Sequence, residues 1–212
     1  MTNFSYLAHG RRSIRKYTDQ DVSTDIIRDI IKTASSAPSG CDSQCWYFAA
    51  VKDKSVIHKM SNAVEEKAFE LLNAGKIELP ENYLLSKKKM LTFFNKAPVV
   101  IAVFMTKAEF YDGYMISALK EQGYTDRKIM ELFADYDLLS IGAAVQNLLL
   151  AAHEKGLGAC WMNEPAIAAK EISDILSVPK DYKFISLIPV GYPAYSPHEK
   201  KLKDLDKILK II

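Results

Sequence analysis

The sequence predicts a sheet with helices packed on its faces, in the α/β or α+β class. Three observations predict it. Four apolar segments of strand length, 46–51, 98–104, 157–162 and 184–190, stand far apart along the chain. Amphipathic stretches at helical spacing fill the gaps, a pattern that a sheet covered by helices satisfies. The chain is also 49% hydrophobic over 212 residues, enough for one sizeable core, so residues 1–212 are expected to form a single domain. The wide strand spacing excludes a β-sandwich.

Each element has its own signal. Ser23 can cap a helix over 24–35, because Ile26, Ile27, Ile30 and Ile31 fall on one face, and Pro38, Ser39 and Gly40 stop it. The run 46–51 reads Trp-Tyr-Phe-Ala-Ala-Val and ends at the charged Lys52, Asp53 and Lys54. A long amphipathic segment covers 55–74, a break falls at 75–80, and a helical piece over 84–95 leads into strand 98–104. The stretch 107–126, with Gly113, Gly123 and several tyrosines, reads as a partly helical excursion. Leu138, Ile141, Val145, Leu148, Leu149 and Ala152 recur at three and four, which makes 137–155 the clearest helix, closed by Gly156. Strand 157–162, a helix over 165–176 begun by Pro165, and the buried strand 184–190 follow. Past Gly191 the tail is basic and extended, then weakly amphipathic.

Composition excludes several functions. A net charge of +2 is too small for a whole-protein field that would gather nucleic acid or an anionic membrane. The longest apolar run, 97–105, is nine residues, about half of a membrane-spanning helix. No secretory signal is legible at the N-terminus, so a cytoplasmic location is expected. Cys41, Cys45 and Cys160 are odd in number and lack the spacing of a zinc set, so neither disulfide nor metal is expected. His9, His58, His153 and His198 have no partner pattern for a hydrolytic triad, and each is expected to be a surface or capping residue. Neither the dinucleotide nor the Walker glycine loop occurs.

Three segments could carry chemistry. Arg11, Arg12, Ser13 and Arg15 place three guanidiniums and a hydroxyl within five residues, a set suited to a phosphate, or else a solvated basic patch. The loop 37–46 is polar and small, with Ser39, Asp42 and Gln44 as its polar atoms, so its backbone can approach a flat ligand. Residues 156–165 run from a strand into a helix start, where free N–H groups attract electron-rich atoms, unless Asn163 or Glu164 only caps the helix.

Taken in order, Arg11-Arg12-Ser13-Ile14-Arg15, Ala37-Pro38-Ser39-Gly40 with Ser43-Gln44 and Trp46, Ala97-Pro98, Gln146-Asn147, Gly156-Leu157-Gly158 with Trp161, and Gly191-Tyr192-Pro193 resemble the FMN-dependent nitroreductase family over nearly the whole chain. The resemblance implies an α+β fold whose mostly antiparallel central sheet is flanked by helices. It also implies an intertwined homodimer with two FMN sites at the interface. Arg11, Arg12, Ser13 and Arg15 would then hold the phosphate and the pyrimidine edge. Pro38, Ser39, Gly40, Asp42 and Gln44 belong to the loop that would come from the other subunit. Asn163 and Glu164 would lie beside the flavin N5, with Ser140 a weaker candidate and Lys89 reaching N1 and O2. Two departures stand out: Asp42 replaces the usual Asn, and Cys45 the usual Pro. The family's C-terminal Arg is absent, which leaves Lys200 or Lys201 to meet the phosphate, as a point charge rather than a fork.

The activity implied is hydride transfer from NAD(P)H through FMN to a nitroaromatic or quinone-like acceptor by ping-pong turnover. No protein nucleophile is needed. The alternative is a non-catalytic FMN-binding relative with an altered site. The resemblance also implies that the stretch 107–126, with Phe110, Tyr111, Tyr114 and Tyr124, covers the active site, the alternative being ordinary helix and loop packing.

Overall fold

The computed structural model describes residues 4–75, 77–80, 82–107 and 113–212. Its centre is the strand β2 (Val99–Met105), which is apolar at every position because helices cover it on both faces. β1 (Trp46–Val51) pairs with it antiparallel, Val51 opposite Val100, and β4 (Lys183–Gly191) pairs antiparallel on its other side. The two-residue β3 (Gly158–Ala159) lies outside β4, so the order is β1-β2-β4-β3, all antiparallel.

Alternation along β2 divides the core in two. Val99, Ile101 and Val103 meet Ile27 and Ile30 of α2 (Thr24–Ala34) and Val145 and Leu148 of α7 (Tyr136–Glu154). Val100, Ala102 and Phe104 meet Ile57, Met60 and Val64 of α3 (Lys54–Ala74), Leu91 of α4 (Tyr83–Thr92) and Ile172 of α8 (Ala169–Ile175). Ser23 caps α2 through Ile26 N at 3.3 Å, and Asp53 caps α3 through Ser55 N at 2.7 Å. Gly156 closes α7 with φ +74°.

Several boundaries differ from those read in the sequence. The helix expected over 84–95 ends at Thr92 and tightens to a 3-10 turn, Phe93–Lys96, because Pro98 holds Ala97 extended at ψ 145°. The helix expected from Pro165 is a 3-10 turn, Glu164–Ala168, followed by α8. Strand 157–162 shrinks to β3, since Pro189 accepts from Cys160 N at 3.3 Å but has no N–H to return. The sequence reading also missed α1 (Phe4–Gly10) and α6 (Asp126–Leu132), both too short for periodicity to show. The excursion at 107–126 contains α5 (Gly113–Glu121), which leaves Tyr114 93% exposed, while Phe110 and Tyr111 lie outside the described residues.

Phe104 is fully buried and meets its cross-strand partners edge-on, Phe184 of β4 at 5.4 Å and Tyr47 of β1 at 6.2 Å. Phe104→Ala is expected to lower stability by about 3–5 kcal/mol in urea unfolding, with little change in the slope of the transition.

Candidate functional site

Two of the sequence-predicted segments meet at the β3 edge of the sheet. Ile14 N donates to Ala159 O at 3.0 Å, and Ser13 pairs parallel with Ala159, so the arginine segment becomes an added edge beside β3. Only glycine permits this approach at 158, where a Cβ would stand 2.5 Å from Ile14 Cγ1. Farther along, Ala194 N donates to Lys16 O at 3.1 Å and Thr18 N to Tyr192 O at 2.9 Å, which ties the segment to the chain leaving β4. Beneath it Tyr17 donates its hydroxyl to Ile14 O at 2.6 Å, and burial pushes that phenol well above its ordinary pKa.

The three guanidiniums divide. Arg12 donates to the carbonyls of His9 at 2.5 Å, Arg11 at 2.8 Å and His198 at 3.1 Å, so its fork ties the end of α1 to the C-terminal segment. Arg11, half-buried, and Arg15, exposed, have no side-chain hydrogen bond or ion pair among the described residues. Both act on the Cys160 thiol: its burial raises its pKa, and Arg15, Ser13 and Arg11 pull against that rise. Arg11 and Arg12 also wall a cavity of about 160 Å³ with His153, Pro193 and Pro197. Lys200 shares a second hollow with Arg12, His9 and Glu199, which brings it, rather than Lys201, to the arginine cluster.

At the far end of the β3 segment, Asn163 and Glu164 are exposed at the start of the 3-10 turn. Glu164 is ion-paired with Lys87 of α4. Sequence reasoning singled out Lys89, but positions two apart on a helix point about 200° apart, so α4 turns Lys87 onto Glu164 and leaves Lys89 exposed elsewhere. Three consecutive lysines, 87 to 89, carried no signal to separate them.

The loop 38–44 is held from beneath. Ser140, on the first turns of α7, donates to Tyr136 O at 2.8 Å and accepts from Gly40 N at 3.1 Å. Ser140 is buried, and these two hydrogen bonds tie the loop to the first turns of α7. A Cβ on residue 40 would stand 2.4 Å from the Tyr136 ring. Ser39 Oγ accepts from Gln44 N at 3.0 Å, and Gln44 Nε2 donates to Asp42 Oδ1 at 3.1 Å. Asp42 thus finds its partner inside its own loop. Cys41, Asp42 and Gln44, with Ala134 and Asp135 before α7, have positive φ, five of the six such non-glycine residues among those described. Left-handed backbone at non-glycine positions costs about 1–2 kcal/mol each and clusters where a loop must hold one shape for a ligand. Pro38, Cys41, Asp42 and Gln44 are all exposed, so this shaped loop faces outward.

Fold and site together place two uncommitted guanidiniums beside one edge of an antiparallel sheet covered by helices. The model of the nitroreductase family matches residues 8–192, and the chain belongs to that family. Among similar proteins is human iodotyrosine deiodinase 1, 29% identical over 97% of this chain and 67% of that protein. A BluB-like flavoprotein of Clostridium difficile 630 superposes with a TM-score of 0.86 at 26% identity, covering all of both chains. A nitroreductase from Desulfitobacterium hafniense DCB-2, solved with bound FMN, shares the fold over all of both chains at a TM-score of 0.72 and 21% identity.

Ser140→Ala removes the acceptor for Gly40 N at little cost in volume. It is expected to lower stability by about 1–2 kcal/mol. The amides of 39–44 should exchange with solvent faster, a change readable by hydrogen-exchange mass spectrometry against unchanged β2 amides.

Proposed function

We propose that this chain is an FMN-dependent oxidoreductase that takes a hydride from NAD(P)H and passes two electrons to a flat organic acceptor of the nitroaromatic or quinone kind. The observation that carries this reading is the pair of uncommitted guanidiniums, Arg11 and Arg15, on an edge that continues through Cys160 and Trp161 to Asn163 and Glu164. The donor set fits the cofactor. A phosphate monoester needs fork-shaped cationic donors, which Arg11 supplies with Lys200 in the neighbouring hollow beside Arg12, and an electron-accepting ring needs positive charge at its pyrimidine edge, which Arg15 supplies.

When bound, FMN supplies the hydride chemistry that no side chain here can perform. The chain's own residues bind and orient. Ser13 adds a neutral hydroxyl between the two guanidiniums. Glu164, held by Lys87, keeps the backbone of the 3-10 turn in place at the opposite end of the site. The strained loop 38–44 faces outward because it serves the site of a second copy in a homodimer. Exposed apolar residues at Phe4 and Tyr6 of α1 and at Leu205, Ile208 and Ile211 of the C-terminal segment support such a partner. The expected location is the cytoplasm.

A second reading, reductive dehalogenation of an aromatic amino acid, is favoured by the likeness to human iodotyrosine deiodinase 1. The two readings share the cofactor and the site and differ in the acceptor.

The protein purified with FMN should be yellow and bleach within seconds under anaerobic NADH or NADPH. Colour should return on adding a nitroaromatic or a quinone. Bleaching by dithionite alone, with recovery of colour by iodotyrosine, would favour dehalogenation, and FMN that none of these reductants and acceptors cycles would favour the non-catalytic binder. Arg11→Ala and Arg15→Ala should each weaken FMN binding by about 1.5–3 kcal/mol in fluorescence titration.

A further inference from the structure

His153 stands in the last turn of α7, at the wall of the cavity that Arg11 and Arg12 share. It is half-buried, and among the described residues its imidazole has no hydrogen bond. The ring points its Nε2 at the backbone entering the arginine segment: a Cβ on residue 10 would stand 2.9 Å from Nε2 and 3.8 Å or more from its ring neighbours. A titratable ring pressed to a cationic cluster, inside a cavity and without a partner, has no role in the fold that its contacts explain.

Resting on the FMN reading above, we propose that His153 is a proton-linked part of the phosphate seat, taking a proton from solvent when a phosphate monoester settles against Arg11 in the cavity that the two residues line. Without a ligand the charged form is disfavoured. Burial first, and then the charges of Arg11 and Arg12, hold the imidazole below its ordinary pKa. A dianion in the cavity reverses the local sign and raises that pKa, and the C-terminal end of α7 also favours a cation there.

The other charged groups nearby do not compete. On α7 the next cation, Lys155, is paired with Asp29 of α2 at 3.0 Å. His9 of α1 and His198 present their carbonyls to Arg12, and Glu199 lines the neighbouring hollow.

The sign follows from linkage. With the bound pKa above the free one, affinity for the phosphate is unaided above the bound value. It rises as pH falls through the window between the two, and levels off below the free value. The ligand's own second ionisation, near 6, works the other way, so the comparison must be made against a variant that lacks only the imidazole.

His153→Gln keeps a polar side chain that cannot titrate. FMN and riboflavin affinities are measured by fluorescence from pH 8 to pH 6 for both proteins. Over that range the ratio of wild-type to H153Q affinity for FMN should rise several-fold, towards the tenfold that one unit of pKa change gives once pH is below the free value, and the ratio for riboflavin should stay flat. Parallel FMN profiles, or an equal rise with riboflavin, would overturn the proposal while leaving the FMN reading intact. Failure of the wild type to bind FMN at any pH would overturn both. Wild-type NMR gives an independent arm that needs no variant fold and no flavin. The pKa of the His153 ring protons should rise when inorganic phosphate is added, and an unmoved pKa at saturating phosphate would count against the proposal.

Discussion

The structure depends on one close approach, the pairing of Ile14 with Ala159 across the bare Cα of Gly158. Everything the site needs follows from it. The hydrogen bond fixes the register of the arginine segment, so Arg11 and Arg15 fall on either side of a buried Ile14 and reach the same edge of the sheet. Both guanidiniums act on the Cys160 thiol, and among the described residues neither has a side-chain hydrogen bond or ion pair. Arg12 shows the contrast: three carbonyls surround it, and it works as a clamp between α1 and the C-terminal segment.

A second constraint lies across α7. Its first turns carry Tyr136 and Ser140, which hold the loop 38–44, and its last turn carries His153 beside the arginines. One rigid helix, buried along Ile141, Val145 and Leu148, therefore joins two site components that lie at opposite ends of it. Within one chain the loop stands at the first turns of α7 and the arginines at its last turn, a helix length apart.

Much of this was legible in the sequence, and the reasons differ by element. The β2 run and the α7 stripe are long and strongly patterned, so their positions were read to within a residue or so. Gly158 and the arginine segment were each visible, but no spacing rule shows that they touch, because the contact is made by folding. Short elements such as α1 and α6 have too few turns for a period to appear. Lys87 was missed because the helix phase of 83–92 decides among three consecutive lysines, and the apolar residues there, Leu84, Leu85 and Met90, are exposed and give no stripe to set the phase. The hydrogen bonds that Ser140 and Asp42 make with Gly40 and Gln44 were not legible, because they arise only when the loop folds back on itself and on α7.

The most direct measurement is made on Gly158→Ala. The added methyl would stand within 2.7 Å of three Ile14 carbons, so Ile14 must move and carry the arginine segment with it. Stability should fall by about 1–3 kcal/mol, as for an overpacked core site. FMN affinity, measured by fluorescence titration on the folded variant, should fall at least tenfold, with a much smaller loss for riboflavin. A variant that loses stability yet binds FMN as the parent does would contradict the claim that this pairing builds the phosphate seat.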